Sequence, residues 1–459
     1  MSGAVGVKAL AGVKVLEFGG GAAGPIAVRH LADHGATVIR VESRTRPDFL
    51  RVLGLSKKNR NLDDAPMFMM LNCNKMSVAL NLSDPRGVEL AKKLVLWADV
   101  VAENFAPKAM RKWGLDYESL RALKPDLVMV STCLMGQTGP HRDYPGFGGQ
   151  GSAISGFNFL TGWPDREAVG QHGTITDSLA PRFVAAAVLA ALLRRKKTGE
   201  GCYIDVAQTE TAAYSLSGWM LEYSANGEVI GRDGNRSRIA APHGAFPCRG
   251  EDRWCVIACW DDAGWQRLVA AMGSPAWALE ERWATLAGRK KDEDELEASI
   301  AGWTASREAS EVAELLQRAG VEAGVVATCR DLVADPQLEH RGHFVPMQHA
   351  VLGAHTCEAL GYRLSETPGA IERPGPLLGE HSRYVYRGYR SFPASCSATS
   401  RTFPIASSRA VSHTTARATG VPRASTTTPS TVPPRVSASS IPDTRSFAPS
   451  SNGPAHAGA

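Results

Sequence analysis

A carboxylate at the mouth of an apolar helix is the group in this chain best suited to covalent chemistry. Asp177 stands in residues 174–208, TITDSLAPRFVAAAVLAALLRRKKTGEGCYIDVAQ, which read as a loop, a buried helix, a basic helix end, a glycine turn and a strand. Partial positive charge at a helix start favours the anion, so Asp177 is expected to stay ionised while partly stripped of water, the state a carboxylate nucleophile needs. The plain alternative is a cap. Asp177 or Ser178 can accept from the first free backbone N–H groups, Pro181 suits an opening turn, Arg194 to Lys197 face the negative end of the dipole, and Gly199 and Gly201 stop the helix. Residues 183–193 are apolar on every side, which places them inside the protein or in a subunit interface, and the run is too short to cross a bilayer.

Two other groupings could do chemistry. Gly19, Gly21 and Gly24 satisfy GxGxxG between a strand and a helix, with Glu42 ending the next strand where a ribose-binding acid would sit. Alone this suggests a dinucleotide site, but the same turn serves any ligand that needs close backbone approach at a helix N-terminus. His30 and His34 share a helical face with Asp33 between them; without a third ligand, solvated or capping histidines are the expectation. Cys255 and Cys259 in WCVIACW are expected to pack in a core rather than hold a metal.

The elements that must position these groups alternate. Residues 13–18, 37–42, 71–82, 98–105 and 125–136 carry strand signals and are separated by helical stretches, which implies an α/β fold with a mostly parallel sheet covered on both faces. Residues 136–156, GQTGPHRDYPGFGGQGSAISG, form a glycine-dense loop that ends about twenty residues before Asp177 and could fold over it. After Gln208 the pattern shifts. The expected division is a large domain over residues 1–225, a smaller α+β domain over 226–329, a return segment over 330–390 that completes the large domain, and a low-complexity, disordered tail over 391–459. The tail lacks leucine, lysine, glutamate, glutamine and tyrosine; a native extension and a shifted reading frame in a GC-rich gene both fit its composition.

Charge sorts the same way. Of 51 basic and 46 acidic residues, six arginines and Asp443 lie beyond residue 390, which leaves 45 of each before it. The folded part is neutral, so the basic excess gives no reason to expect a nucleic-acid partner. Nine cysteines without a CxxC pair fit buried thiols in the cytoplasm, and the first twelve residues carry no apolar segment for a signal peptide or anchor.

Over residues 10–387 the chain resembles the class III CoA-transferases, the CaiB/BaiF family of formyl-CoA and carnitine CoA-transferases, which also holds α-methylacyl-CoA racemases. The motifs are LAGVKVLEF, AGP, LADHGATVIRVE, LNCNKMSVALNL, ADVVAENFAPKAMRKWGL, GQTGPHRDYPGF, ITDSLA, RRKKTGEGCYIDVAQ, ADPQLEHRGHF and PLLGEH. The resemblance implies a Rossmann-like large domain joined to a small one, two chains interlocked as a homodimer, Asp177 as nucleophile, and CoA or acyl-CoA as substrate with no tightly bound cofactor and no metal. It implies a CoA site at Gly21, Ala22, Ala23, Arg44, Leu71, Lys75, Asn104, Phe105 and Lys112, and Gly148, Gly149 or Gly151 as backbone donors to an oxyanion. Two departures stand out. Ser43 occupies a position where the family often has a basic residue, with Arg44 beside it, and residues 233–244 offer no match to the glycine-rich loop that closes over the aspartate in formyl-CoA transferase.

The implied reaction is CoA exchange between an acyl-CoA donor and a free carboxylate through a mixed anhydride and an aspartyl-CoA thioester. A racemase would need a second acid or base opposite the aspartate. Racemases of the superfamily have histidine where this chain has Phe147, although His141 and His172 lie near in sequence. An NAD-dependent oxidoreductase resting on the glycine turn and Glu42 is the rival from another class, and a non-catalytic acyl-CoA-binding relative is the third.

Overall fold

The computed structural model describes residues 7–53, 61–170 and 174–389. The tail expected beyond residue 390 and His172 lie outside them. Six parallel strands make the central sheet: β1 (Lys14–Glu17), β2 (Thr37–Glu42), β3 (Lys75–Ala79), β4 (Val100–Glu103), β5 (Val128–Cys133) and β6 (Cys202–Ala207). Their order is β3-β2-β1-β4-β5-β6. The chain therefore winds outward in one direction from β1 and in the other from β4. Connections diverge at such a reversal and leave a crevice at the carboxyl ends of the two central strands.

Two helices cover one face of this sheet beneath the crevice. Helix α1 (Ala23–Asp33) buries Ala27, Val28 and Leu31 against Val15, Val38 and Val100, and a longer helix adds Val184, Val188 and Ala191 to the same core. Before it comes α2 (Gly148–Ile154), a short helix inside the glycine-dense loop; the longer one is α3 (Ile175–Thr198). Arg195 docks the end of α3 onto Asp99 at 2.9 Å and onto Asp126, both beside the starts of sheet strands.

Helix α3 corrects three expectations. It begins at Ile175 with Thr174 as the flanking residue, so Asp177 lies inside the first turn and is not the cap. Pro181 is an interior residue, and because it has no N–H the Asp177 carbonyl loses its helical donor. The whole helix is 24 residues with a mean hydropathy of 1.5 in its most apolar window, which is long and apolar enough to cross a membrane by length and composition. Its packing on the sheet gives that apolar face another use. The opposite face, Phe183, Leu189 and Leu193, stays exposed in the single chain, as do Trp219, Met220, Leu221 and Tyr223 of the helix Ser217–Asn226.

A second core lies between Ala241 and Val325. The antiparallel strands β7 (His243–Pro247), β8 (Trp254–Ala258) and β9 (Glu322–Val325) pack with Trp265, Trp283, Leu296 and Leu316 of the surrounding helices. Cys255 and Cys259 are buried in it. The chain then returns through the hairpin β10 (Phe344–His349) and β11 (Gly353–Glu358). Arg29 on α1 ties this return to the sheet by donating to the carbonyls of Met70 and Glu358. Asn74 donates to Asp33 and Ala370 while accepting from the backbone of Glu372 and Arg373. The Cys73 and Cys357 thiols, 284 residues apart, meet at 3.5 Å in the same seam.

Candidate active site

The crevice is built by the turn after β1 and the corner after β4. Asn104 accepts from the Gly20 N–H at 3.0 Å and donates to the Gly20 carbonyl at 2.7 Å, closing a side chain-to-backbone clasp across the strand reversal. Glycine is required there, since a β-carbon on Gly19 or Gly24 would overlap the Asn104 side chain and Gly19 has φ +116°. Gly21 gives its N–H to both oxygens of Asp48, at 3.0 and 3.1 Å, and its α-carbon faces the Phe49 ring. Ala22 flanks and Ala23 opens α1.

Beneath the turn lies a buried network of charges. Arg40, wholly buried, pairs with Asp48 at 2.5 Å and with Glu17 at 2.9 Å. Lys75 completes it: its ammonium meets Glu17 at 2.9 Å, the Pro25 carbonyl at 2.9 Å and Asn72 at 3.0 Å, and the residue is 1% exposed. Burial, opposed by Glu17, pushes Lys75 down to about 8. The resemblance puts Lys75 at the CoA site as a positive charge for the phosphates; here its ammonium is instead engaged by Glu17, the Pro25 carbonyl and Asn72. Glu42 is equally committed. Arg51 grips both its oxygens at 2.8 and 2.9 Å and Ser77 donates at 2.5 Å, so no ribose hydroxyl can claim this carboxylate. Burial raises the Glu42 pKa, but the two arginines and Ser77 outweigh that and hold it below the usual range.

Asp177 lies where two helix starts converge. The α-carbon of Gly148, first residue of α2, packs against the Asp177 carboxylate and the Thr174 side chain so closely that a β-carbon would overlap both. Thr176 donates to the Gly148 carbonyl at 3.2 Å and fixes the two helices together. Burial pushes the Asp177 carboxyl above its ordinary range against a hydrogen bond from Thr174. The partial loss of water expected of this carboxylate is thus present, and it opposes the ionised form. The Gly151 N–H is spent on the Phe147 carbonyl at 3.0 Å, which leaves Gly148 and Gly149 as the glycine N–H groups at the mouth of α2.

Phe147 joins this pair of helices to the crevice. Its ring meets Phe49 at 5.0 Å, and Phe49 in turn covers Gly21. Phe105 packs edge-on to Trp113 at 5.5 Å, and its N–H donates to Glu103 at 2.8 Å. Lys112 is exposed at the end of the helix Lys108–Lys112, whose Lys108 pairs with Asp143 of the glycine-dense loop at 3.1 Å. Arg44 is exposed and reaches the Leu378 carbonyl, and Leu71 ends the helix Pro66–Leu71 against the Leu50, Phe68 and Met69 cluster. His141 lies in the exposed loop against Tyr144. His34 caps the end of α1, as one of the two expected roles has it, while His30 is half-buried; Tyr362 stacks on both, and burial with Arg182 nearby pushes His30 down to about 4. The segment 233–244 begins against Trp163, where Gly234 donates to the Gly162 carbonyl at 2.8 Å.

Sequence reasoning missed Asp48, Phe49 and Glu103. For Asp48 and Phe49 the signal was in RVESRTRPDFLR, where Asp48 follows Arg40, Arg44 and Arg46 and a charge must find a partner if it is buried; for Glu103 it was an acid ending the apolar run ADVVAE.

The sequence profile of CoA-transferase family III matches residues 10–382. The chain belongs to CoA-transferase family III. Among curated relatives, the succinyl-CoA–D-citramalate CoA-transferase of Chloroflexus aurantiacus is 36% identical over 375 residues, 82% of this chain and 92% of that one. The succinate–glutarate CoA-transferase of Agrobacterium fabrum is 33% identical over 82% of this chain and 94% of its own. The crystal structure of a CaiB/BaiF family protein from Brucella suis aligns with a TM-score of 0.76 at 30% identity, covering 83% of this chain and 99% of that one. As a family III CoA-transferase, the enzyme takes CoA thioesters as substrates, and the glycine turn belongs to a CoA-transferase although its spacing satisfies a dinucleotide fingerprint.

Proposed function

We propose that this family III enzyme moves CoA from an acyl-CoA donor to a free carboxylate with Asp177 as covalent nucleophile. One observation carries the reading: the Asp177 carboxylate lies against Gly148 at the mouth of α2, on loops that Phe147 and Phe49 connect to the crevice after β1 and β4. An Asp177 oxygen attacks the thioester carbonyl, the C–S bond breaks, and a mixed anhydride and CoA thiolate result. The thiolate then attacks the Asp177 carbonyl of the anhydride and releases the donor acid. The acceptor carboxylate attacks the aspartyl-CoA thioester, and CoA thiolate leaves and returns to the acceptor's activated carbonyl, regenerating Asp177. The N–H groups of Gly148 and Gly149 stabilise the oxyanions.

CoA enters the doubly wound, Rossmann-like crevice along Gly21, Ala22 and Ala23, beside Asn104 and Phe105, with Arg44 and Lys112 toward its phosphates and Leu71 toward its apolar parts. The names of the relatives support donors and acceptors among four- and five-carbon dicarboxylic acids. The apolar faces of α3 and of Ser217–Asn226 support an interlocked homodimer that buries them. Racemisation is disfavoured because Phe147 cannot move a proton. A cytoplasmic setting accords with the free thiols among the described residues.

Asp177→Asn tests the assignment. Transfer between succinyl-CoA and a panel of dicarboxylates, followed by mass spectrometry of CoA esters, should fall by about three orders of magnitude or more while CoA still binds. Hydroxylamine should inactivate the wild type only in the presence of acyl-CoA, with the adduct on Asp177. Near wild-type transfer by the variant, or an adduct elsewhere, would sink the assignment.

A further inference from the structure

At the far end of α1 from the crevice, about 16 Å along the helix at 1.5 Å per residue, the return segment borders a solvent-open cavity of about 510 Å³. We propose that this cavity binds a small organic anion, through a carboxylate or phosphate head held by Arg341 and Arg363. Both arginines line it, and neither makes an ion pair among the described residues. The acid on its wall is Asp33, which is already engaged by Arg29 at 3.3 Å and by Asn74 at 2.6 Å. The two arginines thus keep their charge unpaired among the described residues, the one acid on the wall being held by Arg29 and Asn74, and arginine forks suit planar oxyanions.

The rest of the wall calls for carbon rather than a bare ion. Leu338 and Ile371 supply apolar surface, and Tyr362 stacks on the buried His34 ring with centroids 5.2 Å apart and planes within 6°. His34 directs Nδ1–H to the His30 carbonyl at 2.9 Å, while its Nε2 has no hydrogen-bond partner beneath Gly369. A cavity of this size is in the range that takes a small metabolite. It lies between α1, which begins at the glycine turn, and the return segment, so an occupant would clamp the two together and stabilise the fold by linkage.

The test is calorimetry on the full chain saturated with CoA, using succinate, glycerol phosphate and inorganic phosphate at millimolar concentration. Wild type, Arg341→Gln/Arg363→Gln and the single exposed reversal Arg363→Glu are compared. An organic probe should bind the wild type and raise its melting temperature, and bind each variant at least about tenfold more weakly, the loss of one charge-assisted contact. CoA transfer without the probe should be unchanged. Succinate binding that the arginine variants weaken assigns a carboxylate head, and glycerol phosphate binding that they weaken a phosphate, whereas succinate bound equally by all three proteins reports the active site and overturns the proposal. Inorganic phosphate binding as well as either organic probe would reduce the site to a bare ion site and overturn the proposal. So would equal affinity in wild type and Arg363→Glu, or binding of none of the probes.

Discussion

The backbone of Gly148 lies directly on the carboxylate of Asp177, with no room for even a methyl group between them. Two helix starts therefore converge on one acid, and its orientation is set by packing rather than by a flexible cap.

Gly148→Ala should cost catalysis rather than binding. The added methyl must displace either the carboxylate or Thr174, and a shift of about 1 Å in a reacting group lowers turnover by roughly a hundredfold. Steady-state assays should show the loss in kcat, with the CoA dissociation constant nearly unchanged. A variant with wild-type kcat would mean that the carboxylate works from another position.

Lys75→Met separates a structural lysine from a phosphate ligand. Removing one partner of a buried pair leaves the other charge uncompensated and costs about 3–5 kcal/mol. Chemical denaturation should report a loss of that order through Glu17, while protein that remains folded should bind CoA with near wild-type affinity. A large fall in CoA affinity without a loss of stability would restore the phosphate role.

Glu103 makes stability depend on pH. Burial, against a hydrogen bond from Ser131, raises its carboxyl from 4.5 to about 7. The folded chain therefore holds a proton that the unfolded chain has released between those values. This group's contribution to stability is complete below 4.5 and is lost as pH rises through 7, at most on the order of 3 kcal/mol. Glu103→Gln should flatten the decline between pH 5 and pH 8 in denaturation midpoints. An unchanged slope would remove Glu103 as its cause.

The exposed face of α3 should carry the dimer. Leu189→Glu with Leu193→Glu places two charges on a surface that the proposed interlocked assembly buries, which costs several kcal/mol per unpaired ion. Light scattering should find a wild-type dimer that survives dilution, as linked rings cannot separate without unfolding, and a double variant that yields monomer or aggregate. A double variant with the mass and melting temperature of the wild-type dimer would move the interface elsewhere.

Short apolar strands such as TVIRVE and VMVSTC, split by helices and glycine turns, were legible in the sequence because period and punctuation are local properties. The strand Thr37–Glu42 matches its expected limits for that reason. The position of Asp177 at the start of an apolar helix was legible too, although the helix begins two residues earlier and holds it in the first turn. The fate of the charges was not. Lys75 and Glu42 look like ligand contacts in a linear reading, yet each is consumed by a partner brought in by the fold: Glu17 from β1, and Arg51 from beyond β2. The direction of the Asp177 shift was likewise decided by burial under Gly148, which the tertiary structure alone supplies. Sequence fixes which groups carry charge and which backbone stretches can turn or extend; pairing and desolvation depend on distances between distant residues, and those exist only once the sheet has formed.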